Sequence, residues 1–367
     1  MNGNVDEPIT EEKIYGLSLE EKIYGLSLIW KRSSEMFGLW ELLPDTDWDK
    51  LYLEYIGEVA DTKTIIEYYD VLSKFIANLE DGHSGVSYPN GIKYYCSPIS
   101  VKYIEGKFIV YYRDPKITKI PLGSEITKIN NLPTLEYLES NFSDFTAIKT
   151  PLARENTLGL NIHTSRSNEK LDLEILTPKN KVINETIYYR YPTPSLSESL
   201  SLRYGEIINE LPYSSFRVHR YENEIYRIII KDFQNNKLPE ELQNFLKNER
   251  DKYKGLIIDV RSNAGGDGRI AIEVLSNFID SKELSYFTIR NQYKDVSPMA
   301  EASRYLLYGN SSSESVQEGL LMLSDRNYVD TKSNKNNENN TFDLIEQPVV
   351  ILCDSDTGSA GEDFVSY

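Results

Sequence analysis

The sequence predicts a multidomain α+β protein: an N-terminal helical bundle, a central β module and a C-terminal α/β core. Three observations carry that prediction. Apolar residues recur at helical spacing as far as Glu80, then in strand-like patterns between residues 98 and 190. Beyond Tyr191-Pro192-Thr193-Pro194, short apolar runs fit for buried strands alternate with helical patterns. The length of 367 residues, 40% of them hydrophobic, exceeds a usual single domain and suffices for several cores. The expected domains are 1–90, 97–191 and 192–367.

In the first of these, residues 11–19 and 20–28 repeat Glu-Glu-Lys-Ile-Tyr-Gly-Leu-Ser-Leu without change. A nonamer is too short for a solenoid unit, so it reads as a recent duplication or an artefact. Only the second copy flows into Ile29-Trp30 and a helix. Asp47 starts a helical segment with Leu51, Leu53, Tyr55 and Ile56, and Thr62 or Thr64 caps the next, with Ile65, Tyr69, Leu72, Phe75, Ile76 and Leu79. Trp30, Phe37, Trp40 and Trp48 read as core or inter-domain packing. Asp81-Gly82 ends the bundle and delivers His83.

The β module shows its strands most clearly at Val101, Phe108 to Tyr112 and Leu171 to Leu176. Pro121 to Asn130 resembles the stretch of a PDZ domain that enters its central hairpin, with Leu132 to Leu138 as the short helix. That resemblance implies capture of an extended peptide along a sheet edge; the alternative is a β module that only packs. In the core, Tyr226 to Ile230 predicts a strand and Pro239 to Leu246 a helix. Leu256 to Ile258 with Val260 predicts a strand buried on both faces. Lys332 to Thr341 is low in complexity and reads as a mobile loop bordering a cleft. Val349 to Cys353 is a further strand, and Ser359 to Phe364 starts a helix.

Composition narrows the function. Forty basic against 57 acidic residues give a net charge of −17 without a Lys/Arg cluster, which argues against nucleic acid as a partner. No window of 18 apolar residues occurs, so no membrane span is expected, and no signal-peptide core opens the sequence. Cys96 and Cys353 lack metal-ligand spacing and read as lone thiols, Cys353 as buried packing beside the candidate site. Neither metal nor cofactor is expected. Sequons at Asn141, Asn184, Asn310 and Asn339 matter only on a eukaryotic secretory route.

Three stretches carry chemistry. Arg261-Ser262-Asn263-Ala264-Gly265-Gly266-Asp267-Gly268 follows the buried strand and precedes a helical pattern (Ile270, Ile272, Val274, Leu275). It lacks the spacing of a dinucleotide fingerprint and the Gly-Lys-Ser/Thr of a phosphate loop. A structural turn, a ligand loop and an oxyanion hole remain open. Asp354-Ser355-Asp356-Thr357-Gly358-Ser359-Ala360-Gly361 places a serine at a second strand-to-helix junction, one residue out of the nucleophile-elbow order because Thr357 stands where the first glycine would be. Ser359 reads as a nucleophile, as a helix cap with Glu362, or as both. His83, within Asp81-Gly82-His83-Ser84-Gly85, is one of three histidines and reads either as a general base or as an ordinary turn residue. His163 and His219 read as half-exposed strand residues.

These motifs, in this order, resemble the signatures of the S41 serine peptidases, which include the C-terminal processing peptidases and the tricorn-type core proteases. The Asp-Gly-His start is similar to the tricorn-like branch, whose base is histidine rather than lysine. The resemblance implies a core of the ClpP/crotonase type, Ser359 as nucleophile, His83 as base, and an oxyanion hole from Gly266 and Ala360, with Ser84 and Gly265 in support. It implies a serine endopeptidase or C-terminal processing peptidase acting on extended polypeptides, exported from bacteria, with its targeting segment absent from the sequence shown. Two departures stand out. Gly82 precedes the histidine where the tricorn type has serine, and Tyr367 follows Ser359 too soon for the later glutamate of the family. The chain is therefore expected to be truncated after the nucleophile helix start, and the alternative function is a catalytically inactive peptide-binding protein of the same fold.

Overall fold

The computed structural model describes residues 17–166, 168–190, 192–199, 207–279, 285–288, 330–333 and 345–366. The chain divides into two compact units, Met1–Leu200 with Thr288–Asp330, and Ser201–Phe287 with Thr331–Tyr367. The fold is mixed α/β, with helices and several sheets. No helix among the described residues is long and apolar enough to cross a membrane. Residues 11–16 of the first nonamer copy, Asn310, Asn339 and the low-complexity loop beyond Ser333 lie outside the described residues.

The first unit opens with α1 (Leu19–Met36), α2 (Trp48–Asp61) and α3 (Ile65–Ala77). Ser18 with Glu21, and Thr64 with Glu67, form capping boxes, and the Asp47 carboxylate accepts from Lys50 N at 3.0 Å. The aromatic residues build the core. Trp48 stacks on Phe75 with ring centroids 4.3 Å apart, Trp40 meets Trp48 edge-on, and Trp48 Nε1 donates to the Trp30 carbonyl at 3.0 Å. All three tryptophans of the chain lie in this bundle, so its unfolding has its own fluorescence signal. Thr64→Ala removes the cap of α3 and is expected to destabilise the bundle by about 1 kcal/mol, read from the tryptophan-fluorescence midpoint in urea.

A seven-stranded sheet follows, built on β2 (Ile99–Ile104), β3 (Lys107–Arg113), β4 (Glu125–Ile129), β7 (Lys170–Leu176) and β8 (Val182–Tyr188) in that order. Short strands β5 (Leu132–Pro133) and β9 (Glu198–Ser199) pair with β4 and β3, and β1 (Tyr95–Cys96) pairs separately with β6 (Thr164–Ser165). Phe108, Val110, Leu171, Leu173 and Ile175 alternate inward onto α4 (Thr134–Phe142) and α5 (Pro151–Leu160), as period two requires. The short helix starts later than the expected Leu132. Asn130 and Asn131 both adopt positive φ (49° and 69°), a tight hairpin turn that commits Leu132-Pro133 to pairing with β4. His163 also differs from expectation. It sits in the turn after α5 with Nδ1 3.0 Å from the Ile99 carbonyl, and burial holds its pKa below the ordinary imidazole value.

The second unit is a five-stranded sheet in the order β10 (Ile207–Pro212), β11 (Arg217–Tyr221), β12 (Ile225–Ile229), β13 (Gly255–Asp259) and β16 (Val349–Leu352). The pair β14 (Ser285–Thr288) and β15 (Asp330–Ser333) stands apart from it. β12, β13 and β16 run parallel, with Ile258 opposite Ile228 on one side and Ile351 on the other. β13 carries the continuous apolar run because it has neighbours on both edges and core on its faces. Helix α6 (Leu238–Glu249) covers the sheet through Leu238, Leu242, Phe245 and Leu246, and α7 (Gly268–Leu275) through Ile270, Val274 and Leu275. α8 (Ala360–Ser366) anchors through Phe364, whose ring lies 5.5 Å from that of Phe233.

Candidate active site

In an open parallel sheet, chemistry collects where the strands end at their carboxyl edge. Here β13 and β16 end side by side, and each runs into one of the loops marked by the sequence. At the exit of β13, Asp259 is 1% exposed and is paired on both sides. Arg227 on β12 donates from Nε at 2.7 Å, and Arg261 donates from Nε at 2.9 Å and from its backbone N–H at 3.1 Å. Burial raises the carboxyl pKa, but the hydrogen bonds from Arg261 and Arg227 and the Arg227 charge outweigh it, leaving Asp259 below the ordinary carboxylate value.

The loop beyond is over-determined. Ser262 turns with φ 59°, which a residue with a side chain adopts only when its surroundings hold it there. Asn263 is wholly buried; its Nδ2 donates to the Ile230 carbonyl at 3.1 Å, and its Oδ1 accepts from Gly265 N at 2.8 Å. Phe233 N donates to the Gly265 carbonyl and Asp267 N to the Phe233 carbonyl, both at 2.9 Å, so Phe233 and Gly266 form a parallel bridge. Asp267 then caps α7.

The second loop lies against the first. Gly358 N donates to the Asn263 carbonyl at 2.9 Å. Ser359 follows with φ 53°, a strained backbone between strand and helix, and Thr357 departs from the elbow sequence. Its backbone N–H donates to Glu362 Oε2 at 3.0 Å, and its carbonyl accepts from Glu362 N at 2.8 Å. The cap uses Ser359 N rather than Oγ, and the hydroxyl makes no hydrogen bond among the described residues.

Two backbone donors in this corner, Gly266 N and Ala360 N, give their hydrogens to no acceptor among the described residues. The other amides around them are committed: Gly265 N to Asn263, Ser359 N to Glu362 and Gly361 N to Gly358. Ala360 follows Ser359 in the chain and Gly266 follows the Gly265 that packs on it, so both uncommitted amides belong to the two loops that meet at this serine.

The two glycines are required for different reasons. At Gly266 (φ 144°) a Cβ would lie 2.6 Å from the Phe233 backbone, so glycine is needed there for the strand-like bridge. Gly265 (φ 97°) is the residue against the serine; a Cβ there would lie 2.6 Å from Ser359 Cβ and 2.9 Å from Ala360 N. Gly265→Ala is therefore expected to destabilise the unit by about 1–3 kcal/mol. Gly268→Ala, whose added methyl meets nothing within 4 Å, should be neutral or stabilising by up to about 1 kcal/mol. Thermal melts of the two variants check the contrast.

Ser359, Ala360, Gly265 and Gly266 thus come together in the second unit. His83 and Ser84 belong to the first. His83 is exposed, follows the turn made by Glu80 (φ 54°), and has Nδ1 3.8 Å from Asp81 Oδ1. The Ser84 hydroxyl donates to Asp81 Oδ2 at 2.6 Å, so Asp81 organises the turn on both sides of the imidazole. Cys353 is exposed, not buried packing as expected, because the strand ends at Leu352 and the chain leaves the sheet there. No group of three or more His, Cys, Asp or Glu side chains among the described residues could hold a metal ion. Sequence reasoning did not single out Asn263, Arg227, Asp259 or Asp354; the only local signal was a buried-strand run ending in a charged residue.

Residues 225–367 match the family model described as Peptidase family S41. Among solved structures, mature CPAF is similar over 95% of this chain and 81% of its own, at 15% identity and a TM-score of 0.71. Mature CPAF complexed with lactacystin is similar over 94% and 81%, at 15% identity and a TM-score of 0.70. At that identity the likeness is one of fold. No curated protein matches the sequence.

Proposed function

We propose that the chain, whose residues 225–367 match the model of peptidase family S41, is a serine peptidase cleaving extended polypeptides through an acyl-enzyme. The observation that carries this reading is the strained Ser359 beside the uncommitted amides of Gly266 and Ala360. In the proposed cycle, His83 takes the Ser359 proton as Oγ bonds to the peptide carbonyl carbon. The negative charge that develops on the carbonyl oxygen is received by the two amides. The tetrahedral intermediate collapses as His83 protonates the departing amine, breaking the C–N bond. Water then attacks the ester, giving its proton to His83, and Ser359 leaves with that proton restored. Asp81, close to Nδ1, orients the imidazole. The module at 97–191 is the proposed peptide-capture element, its strands offering a backbone edge.

A biotinylated fluorophosphonate tests the reading: intact-mass and peptide analysis should find a covalent adduct on Ser359. His83→Ala should slow labelling by about a hundredfold or more while leaving the protein folded. Lactacystin, which mature CPAF binds, is a second probe of the same corner. Absence of any adduct, together with measurable affinity for unstructured peptides, would sink the hydrolytic assignment and leave a peptide-binding protein.

A further inference from the structure

One carboxylate ties the loop carrying Ser359 to the loop carrying Gly265 and Gly266, and the cycle above leaves it without a task. Asp354, the first polar residue of the second loop, accepts from Ser262 N at 2.8 Å through Oδ1, and from the Ser262 hydroxyl at 3.4 Å through Oδ2. The same Oδ1 accepts from Asp356 N at 3.1 Å, so the carboxylate shapes its own turn and grips the other loop at once. Its backbone N–H donates to Thr357 Oγ1 at 3.0 Å, and that hydroxyl donates to the Val260 carbonyl at 2.9 Å. Thr357, the departure from the elbow sequence, thus fastens the nucleophile loop to the end of β13. Ser262 sits at φ 59°, and the two residues between it and Gly265 carry that turn into the glycine pair.

We propose that Asp354 is a positioning residue: it locks the two loops together and so presets the spacing of the Gly266 and Ala360 amides around Ser359. The proposal rests on the hydrolytic reading for its kinetic consequence, but the lock itself does not. The carboxylate acts through Ser262 and touches no reacting atom. What it contributes is the arrangement of donors before charge develops, which lowers the barrier only if those donors do not have to reorganise. The lock depends on the Oδ1 acceptor that holds a backbone N–H, so asparagine, which retains an acceptor oxygen, should serve nearly as well as aspartate.

The test compares Asp354→Ala and Asp354→Asn with the unaltered protein, each first shown to be folded by its thermal melt. A peptide boronate, which forms a tetrahedral adduct with a serine hydroxyl, reads the donor pair. Asp354→Ala should weaken boronate binding and lower kcat by about 10- to 100-fold, with KM and the affinity for a cleavage-product peptide unchanged. Asp354→Asn should recover most of both. Hydrogen exchange read by mass spectrometry should quicken in the peptides spanning 260–267 and 354–361 for the alanine variant and not for the asparagine one. Unchanged boronate affinity and exchange in Asp354→Ala would overturn the proposal, as would an asparagine variant that falls as far as alanine, since charge rather than an acceptor would then be at work. If the unaltered protein reacts with neither boronate nor fluorophosphonate, the hydrolytic reading fails separately. Exchange then decides the lock: coupled loosening of both loops upholds it, and independent behaviour overturns it.

Discussion

Replacing Ser359 by alanine is expected to lower kcat for cleavage of an unstructured polypeptide by about ten-thousand- to a million-fold, with the thermal midpoint unchanged or slightly altered. The magnitude follows from what the side chain does and does not do in the fold. Its hydroxyl makes no hydrogen bond with the described residues, and the structural contacts of Ser359 run through its backbone N–H and carbonyl. Alanine keeps both contacts and removes only the oxygen proposed to attack. The cost therefore falls on the reaction and leaves the turn in place. Any residual rate would come from the Gly266 and Ala360 amides acting on water attack, which the substitution leaves intact. A steady-state assay on a quenched fluorescent peptide, run beside a thermal melt, separates the outcomes. A rate drop of less than about tenfold with unchanged stability would exclude Ser359 as nucleophile.

Much of this arrangement could be read along the chain, and the part that could not has a common cause. β13 was legible because burial on both faces demands an unbroken apolar run, and Leu256 to Ile258 supply it. Thr64 as cap, and the helix it starts, were legible because a capping box spans three residues. The glycine turn was legible as a turn, yet not which glycine faces the serine. That depends on Phe233, some thirty positions earlier, forming a bridge with Gly266 and turning Gly265 toward Ser359. The left-handed backbone at Ser262 and Ser359 was equally hidden, since local preference disfavours it and contacts from distant loops impose it. The late start of the helix behind β4 has the opposite origin: two consecutive asparagines made a hairpin turn that outranked the helical pattern. Cys353 failed for a related reason, because an apolar run does not announce where the sheet ends.

The second large effect belongs to the ion pair beneath the glycine loop. Asp259→Ala is expected to destabilise the second unit by about 3–5 kcal/mol, the cost of leaving a buried charge unmatched. Arg227 is only 7% exposed and pairs with Asp259 across neighbouring parallel strands, so losing the carboxylate removes that pairing from a guanidinium held in the sheet. Arg261 is more exposed and can turn to water, which is why the penalty centres on Arg227. Acid should reproduce part of the loss. The folded Asp259 has a pKa below its ordinary value of 3.8, so its contribution is fully present above that value and disappears as pH falls through the lower, folded one. A urea titration followed by far-ultraviolet circular dichroism at pH 7 should show the midpoint of the sheet's transition well lowered in Asp259→Ala. The difference from the unaltered protein should hold from pH 7 down to about pH 4 and shrink below it. The double replacement Arg227→Met with Asp259→Leu gives the decisive comparison. If the unmatched charge is the cause, removing both partners should recover a large part of what Asp259→Ala loses, because the apolar pair needs no counter-ion. Recovery of the fold without recovery of peptide cleavage would then show that the pair also holds Arg261, and with it the loop that presents Gly266, in register with Ser359.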